Sequence, residues 1–319
     1  LEEAHVAPAE EVSMPAKLAE ATEFGTLETL IPSWERSLRA GNKSPKTIRA
    51  YGDSARLFEV FAREKLGVRA VNKMTRETVE TFIADQLARW KPTTASVRYR
   101  CLQQLFKWLL EEGEITADPM THMKPPIVPE VPVPVVSDDD LKKLLRTCNG
   151  KTFEDKRDVA ILRVFIDTGI RLAECSGLRS EDVDLQEEVL HATGKGRRPR
   201  AVPFGAKTGV ALDRYLRLRL RHSQADRPAL WLGPKGGLTD SGIAQMLERR
   251  CLQAAIEKVH PHQLRHTAAH VWMAQGGEEG DAMRLFGWRS RQMLNRYGAN
   301  AADERARDAH RRIAPGDRI

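Results

Sequence analysis

Apolar residues recur every three or four positions through most of this chain, the spacing that gives a helix one buried face. The pattern begins at Thr26. Its clearest element opens at Ser44-Pro45, a capping residue followed by a proline in the first turn, and closes at Gly67. Within it Ile48, Tyr51, Ala55, Phe58 and Phe61 share one face. Thr75 caps a second helix with Val79, Phe82, Ile83 and Leu87 directed inward; a third follows Pro92-Thr93-Thr94, with Val97, Cys101, Leu105, Trp108 and Leu109 inward up to Gly113. Residues 26–124 therefore read as a small all-helical bundle.

The spacing breaks at Pro125, Pro126, Pro129, Pro132 and Pro134, a density that removes backbone donors and favours extended geometry. At about 3.1 Å per residue the stretch 125–135 spans roughly 34 Å, so residues 125–136 read as a semi-rigid linker between two domains. The second domain, 137–319, opens at Ser137 with the acidic helix start Asp138-Asp139-Asp140 ahead of Leu141, Leu144 and Leu145. A helix through Val159–Asp167 ends at Gly169. Residues 188–192 and 199–204 form two short strands around the turn Gly194-Lys195-Gly196-Arg197-Arg198. Helices resume near Thr208 and are broken at Gly276-Gly277 and Gly287. The fold class is mainly α with a small β-hairpin, in two domains without internal repeats.

Composition adds a core and a charge. The 319 residues, 41% of them hydrophobic, suffice for two ordinary domains. No run approaches the roughly 18 apolar residues of a membrane span. Residues 1–25, rich in Ala and Glu, lack the basic start and apolar run of a signal peptide and read as an acidic flexible tail. Cys101, Cys148, Cys175 and Cys251 lie far apart with no CxxC pair, which argues against a disulfide framework and for a reducing, cytoplasmic setting. The formal charge is +7, but residues 1–35 hold eight Glu and only Lys17. The remainder carries 50 basic against 36 acidic side chains, a body near +14 that favours a polyanionic partner.

Several polar residues sit where a core pattern does not need them. Arg171 follows an apolar helix directly, with Glu174 three residues on; Arg265 lies in His262-Gln-Leu-Arg265-His266 at the start of another helix. Two arginines at helix starts suit a phosphate, because the guanidinium fork matches its oxygens and helix-start N–H groups add to the attraction. Taken singly, each is equally an ordinary surface charge. Lys195 sits at the hairpin tip among Arg197, Arg198, Arg200 and Lys207, a cluster suited either to a groove or to a charge-protected strand edge. The phosphate-loop pattern GxxxxGK[ST] is absent, which argues against an NTPase. His262, His266 and His270 are spaced as zinc ligands on one helical face, but the HExxH glutamate is missing and Arg265 sits beside them. The competing reading gives His262 acid–base work near a phosphate. Tyr297, which follows Gly287-Trp288, is either a half-buried core residue or a phenol activated as a nucleophile.

In order, these residues resemble the tyrosine recombinase (phage integrase) family. The resemblance rests on Thr168-Gly-Ile-Arg171-Leu-Ala-Glu174 with Leu178, then Gly194-Lys195-Gly with Arg200-Ala-Val-Pro203, then His262-Gln-Leu-Arg265-His266-Thr267, then Leu285-Phe-Gly-Trp288, then Tyr297. Ser44, Thr47, Tyr51, Phe58 and the helix through Trp108 are similar to the family's helical core-binding (SAM-like) domain.

The resemblance implies a site-specific DNA recombinase whose two domains clamp double-stranded DNA and which assembles as a homotetramer on paired sites, with accessory DNA-bending proteins as further partners. Tyr297 would attack the scissile phosphate, Arg171 and Arg265 would hold its non-bridging oxygens, and Lys195 would protonate the departing 5′ oxygen. His262 would serve in acid–base catalysis, Glu174 would orient its neighbours, and Trp288 would stand where many members have His, donating one N–H. No cofactor or metal is implied. Lys43, Lys46 and Arg49 in the first domain, and Arg197, Arg198 and Arg200 at the hairpin, are expected to bind DNA. Residues 303–313 form a helix-competent tail, either solvated or packed on a neighbouring protomer. The rival readings are a catalytically silent DNA-binding protein of this fold and a relaxing type IB-like topoisomerase.

Overall fold

Local caps set the register of the first helices. The computed structural model describes residues 25–129, 134–194, 199–288, 290, 306–307 and 310–318. Helix α1 runs Leu27–Ala40, α2 Pro45–Leu66, α3 Arg76–Arg89 and α4 Pro92–Glu111. Ser44 Oγ accepts from Thr47 N at 3.2 Å, and Pro45 takes the first position of α2, where its missing N–H costs nothing. Gly67 closes that helix at a φ of +68°. Thr75 and Thr78 cap α3 reciprocally. The apolar faces meet around Trp34, Phe58, Phe82 and Phe106, with Phe58 edge-on to Phe82 and Phe106 at 5.2 and 5.8 Å.

Two residues expected inward face solvent instead: Leu87 is 41% exposed and Val97 46%. In α3 the buried row continues through Gln86, whose amide donates to Asp85 at 2.9 Å and accepts from Arg98. A satisfied buried amide thus occupies the face that an apolar count assigns to Leu87. In α4 the inward row runs through Ala95, Tyr99, Leu102, Leu105 and Phe106, leaving Val97 outside it.

Residues 124–129 of the proline-rich segment lie in neither helix nor strand. The chain divides into two compact units, Leu1–Glu130 and Val131–Ile319. Residues 1–24 of the acidic tail, 130–133 of the linker, and 303–305 and 308–309 of the 303–313 tail lie outside the described residues. At the far end of that tail, Ile313 is 60% exposed.

In the second unit, α5 (Asp138–Arg146), α6 (Phe153–Thr168) and α7 (Leu172–Ser176) precede an antiparallel sheet of β1 (Val183–Asp184), β2 (Val189–Thr193) and β3 (Pro199–Pro203). Leu190 faces Val202 and Ala192 faces Arg200 across the hairpin. Then come α8 (Ala206–Arg219), the small hairpin of β4 (Leu232–Gly233) and β5 (Gly236–Gly237), α9 (Asp240–Gln253), α10 (Pro261–Ala274) and α11 (Glu279–Leu285). Helix α6 is the spine: it packs on α8 and α10, with Phe165, Tyr215, Trp231 and Leu264 buried in one core. It begins at Phe153 rather than Val159 because Thr152 and Asp155 cap each other. The first strand of the hairpin begins at Val189, one residue later than expected, because Glu188 takes a φ of +55° and belongs to the turn before it; it ends at Thr193.

A buried ion network fastens α6 to α9. Asp158 is fully buried and accepts from Arg157 at 2.7 and 2.9 Å and from Arg250 Nε at 2.9 Å. Arg250 also reaches Asp155 and the Thr147 carbonyl, and Arg157 the Leu232 carbonyl. Each charge is therefore paired and hydrogen-bonded, the condition under which buried ions persist. Among the described residues no helix is long and apolar enough to cross a membrane.

Candidate active site

Three arginines from separate elements, and one carboxylate, meet at the end of α11. Helix α6 stops at Gly169, whose φ of +56° turns the chain; a Cβ there would lie 2.6 Å from the Phe286 ring. The turn delivers Arg171 as the cap of α7. Glu174 Oε2 accepts from Arg171 N at 3.1 Å and Glu174 Oε1 from Arg171 Nη1 at 2.7 Å. The Arg171 side chain is 37% exposed, Glu174 only 4%.

Helix α10 supplies the second arginine. His260 N donates to Gln263 Oε1 at 2.9 Å, starting the helix at Pro261 and placing Arg265 one turn in, where it is 2% exposed. Arg265 Nη1 donates to the Gly169 carbonyl at 2.7 Å and Nη2 to the Phe286 carbonyl. Its guanidinium carbon lies 5.6 and 5.8 Å from the Phe286 and Trp288 ring centroids, and those two rings stack at 4.9 Å. Thr267 Oγ1 accepts from Val136 N at 3.0 Å and donates to the Gln263 carbonyl, tying α10 to the start of the unit.

The third arginine corrects an expectation. Arg200, assigned to DNA from sequence, is drawn inward: its side chain is 14% exposed, Nη2 donates to Glu174 Oε2 at 2.7 Å and Nη1 to the Leu285 carbonyl. The physical reason is the pleat of β3, which puts Arg200 on the same face as the buried Val202. Burial pushes the Glu174 carboxyl upward, but Arg200 first and Arg171 second outweigh it and hold the group below the usual carboxylate range.

His262 is exposed on the first turn of α10, with its Nε2 3.2 Å from Nε2 of the buried His266. His270, the third of the spaced histidines, is half-buried, and its Nδ1 lacks a partner. Among the described residues no group of three or more His, Cys, Asp or Glu is placed to hold a metal. Trp288 is 5% exposed and follows the Gly287 turn, its backbone N–H donating to the Met283 carbonyl at 2.8 Å. Lys195, Arg197, Arg198 and Tyr297 lie outside the described residues. In the first unit Lys43, Lys46 and Arg49 are exposed around the start of α2, and Lys43 and Arg49 line a groove with Arg39 and Arg56.

The phage integrase family model matches residues 134–304, and the model of the phage integrase N-terminal SAM-like domain matches residues 31–113. The chain is 30% identical over 285 residues to the tyrosine recombinase XerC of Oceanobacillus iheyensis, covering 86% of this chain and 92% of that one. Its fold is similar to XerH site-specific recombinase bound to a palindromic difH substrate in a post-cleavage complex, with a TM-score of 0.69, 18% identity and coverage of 89% and 83% of the two chains. It is similar as well to a lambda integrase tetramer bound to a Holliday junction, with a TM-score of 0.67, 14% identity and coverage of 91% and 82%. A helical domain followed by a mainly helical catalytic domain is the two-domain order that the two family models describe. The chain belongs to the phage integrase family, the tyrosine recombinases that cleave and rejoin DNA.

Proposed function

We propose that this chain performs site-specific strand exchange on paired duplex DNA sites through a 3′-phosphotyrosyl intermediate. The Tyr297 oxygen gives up its proton to His262 and forms a bond to the scissile phosphorus as the bond to the 5′ oxygen breaks, and Lys195 supplies the proton that leaves with that oxygen. Arg171 and Arg265 hold the non-bridging oxygens, His262 serves in acid–base catalysis, Glu174 orients Arg171, and Trp288 packs the site and offers its N–H. A 5′ hydroxyl from the partner strand then reverses the first step and releases Tyr297. Phosphodiester energy is conserved throughout, so the scheme calls for neither ATP nor a metal.

The observation that carries this reading is the convergence of Arg171 and Arg265, from different helices, on the successive carbonyls of Gly287 and Phe286, directly ahead of Trp288. The other tyrosines support it by elimination. Tyr99 and Tyr215 are fully buried, and burial pushes the Tyr215 phenol up to about 12. Tyr51 stacks on Trp34 in the helical bundle, its phenol also raised by burial. Lys43, Lys46 and Arg49, with Arg197 and Arg198 of the hairpin, bind backbone phosphates, so affinity falls steeply with salt. Assembly as a tetramer on paired sites is part of the reading, supported by likeness to the lambda integrase tetramer. The DNA substrate puts the enzyme in the cytoplasm.

A nicked duplex site, selected from random duplexes by binding, tests it in EDTA. Wild-type protein should become covalently attached to DNA, and Tyr297→Phe should bind without attaching. A wild-type protein that binds the site yet never forms the adduct would overturn the reading.

A further inference from the structure

The carbonyls of Leu285, Phe286 and Gly287, consecutive in the chain, are taken by Arg200, Arg265 and Arg171 in that order. Two of these arginines also share one carboxylate, Arg171 on Glu174 Oε1 and Arg200 on Glu174 Oε2, each at 2.7 Å. Gly287 brings its backbone against both: at a φ of +60°, a Cβ there would lie 3.2 Å from Arg171 Nη1 and 3.2 Å from Arg200 Nε. From these contacts we infer that Arg200 is a positioning residue for strand cleavage, fixing the Glu174 carboxylate that orients Arg171 and anchoring the turn that carries Trp288. The inference rests on the reading of Arg171 as a phosphate ligand.

The chemistry follows from burial. A carboxylate as enclosed as Glu174 stays ionised only beside cations, and of the two that face it Arg200 opposes the desolvation most strongly. Among the described residues the charged groups facing Glu174 are Arg171 from the start of α7 and Arg200 from β3; the 285–287 turn presents backbone carbonyls, and the neighbouring Cys175 thiol is pushed well up by burial and is neutral. Without Arg200, Glu174 takes up a proton at a higher pH. Its Oε1 then no longer holds Arg171 as an ion, and the Leu285 carbonyl loses its anchor.

Single-turnover cleavage of the nicked duplex by Arg200→Met and Arg200→Lys, from about pH 5 to 9 at saturating protein, tests this beside affinity measured against salt. Both variants should bind with the wild-type salt slope. In Arg200→Met cleavage should fall on the order of 10- to 100-fold, the scale at which about 1 Å of misplacement acts, and the acid limb of the profile should move to higher pH. Arg200→Lys, which keeps a cation beside Glu174, should return the limb toward wild type and recover part of the rate. A salt slope lower by about one, with full cleavage at saturation, would make Arg200 a phosphate contact and overturn the inference. A loss of rate with an unmoved limb and no recovery in Arg200→Lys would reduce Arg200 to a structural residue and overturn it as well. Should Arg200→Met not fold, Arg200→Lys decides alone: a slower rate with the salt slope intact and the acid limb above wild type supports, and a lowered salt slope or an unmoved limb refutes. Arg171→Ala run alongside separates the two readings, since wild-type cleavage there removes the phosphate role of Arg171 whatever Arg200 does.

Discussion

Replacing Gly287 with alanine tests whether the arginine array depends on a close backbone approach. At a φ of +60° an alanine is strained by about 1–2 kcal/mol. Its Cβ would sit 3.2 Å from Arg171 Nη1 and from Arg200 Nε, so the neighbours must yield by a few tenths of an ångström. Gly276 supplies the internal control, with a φ of +82° and nothing within 4 Å of a Cβ. Both substitutions carry the same kind of backbone strain, and both should lower the unfolding midpoint by roughly 2–8 °C for a unit of this size. Only Gly287→Ala pushes on the guanidiniums. Single-turnover cleavage, measured well below either midpoint, should drop roughly 10- to 100-fold in Gly287→Ala and stay near wild type in Gly276→Ala. Equal rates in the two variants, whether both high or both low, would refute the claim that close contact at Gly287 sets the array.

Two further outcomes follow from charge. Asp158→Ala leaves Arg157 and Arg250 buried without their shared carboxylate and should cost about 3–5 kcal/mol, read as a large fall in the denaturant midpoint of the second unit; a change under about 1 kcal/mol would show the network to be dispensable. Glu174 and Asp155 are both held below the usual carboxylate range, Glu174 because its arginines outweigh burial and Asp155 chiefly by its bond to Thr152. Their contribution to stability is complete above the unfolded values near 4 and is lost as pH falls through the lower folded values. The thermal midpoint should therefore be flat from about pH 5.5 to 7 and fall below about pH 4.5, less steeply in Glu174→Gln; identical slopes would exclude Glu174 from that linkage.

Which parts were legible in the sequence depends on how far each determinant reaches along the chain. The starts of α2, α3 and α5 could be read because Ser44, Thr75 and Ser137 act within one helical turn. The start of α6 was read too late because the Thr152–Asp155 cap carries no apolar signal. Leu87 failed because an apolar count cannot see that Gln86 finds partners for its amide. At the site, Arg171 and Arg265 stood out in the sequence by their places at helix starts, and Glu174 through the resemblance. The inward position of Arg200 was missed although a signal existed: two residues from Val202 on a strand, it shares the inward face, and a cation there needs an anion. Its partners, Glu174 and the Leu285 carbonyl, lie 26 and 85 residues away. The carbonyl anchors could not be read at all, since every residue has one.

Those anchors bear on how long cationic side chains stay aligned before any phosphate arrives. An unheld arginine carries about 2 kcal/mol of rotamer entropy. Arg265 is gripped by the Gly169 and Phe286 carbonyls from two elements, and Arg171 by Glu174 and the Gly287 carbonyl, so the ordering cost falls on folding rather than on the chemical step. The charges divide in the same sense. Glu174 is needed to orient Arg171, but a lone carboxylate beside a phosphate would repel it. Arg200, paired to the other oxygen of Glu174, offsets that negative charge from inside the fold. On the proposed reading, Arg171 and Arg265 would then act on the phosphate with the Glu174 charge already offset, and a preorganised site of this kind stabilises the charge that builds at the phosphorus most strongly.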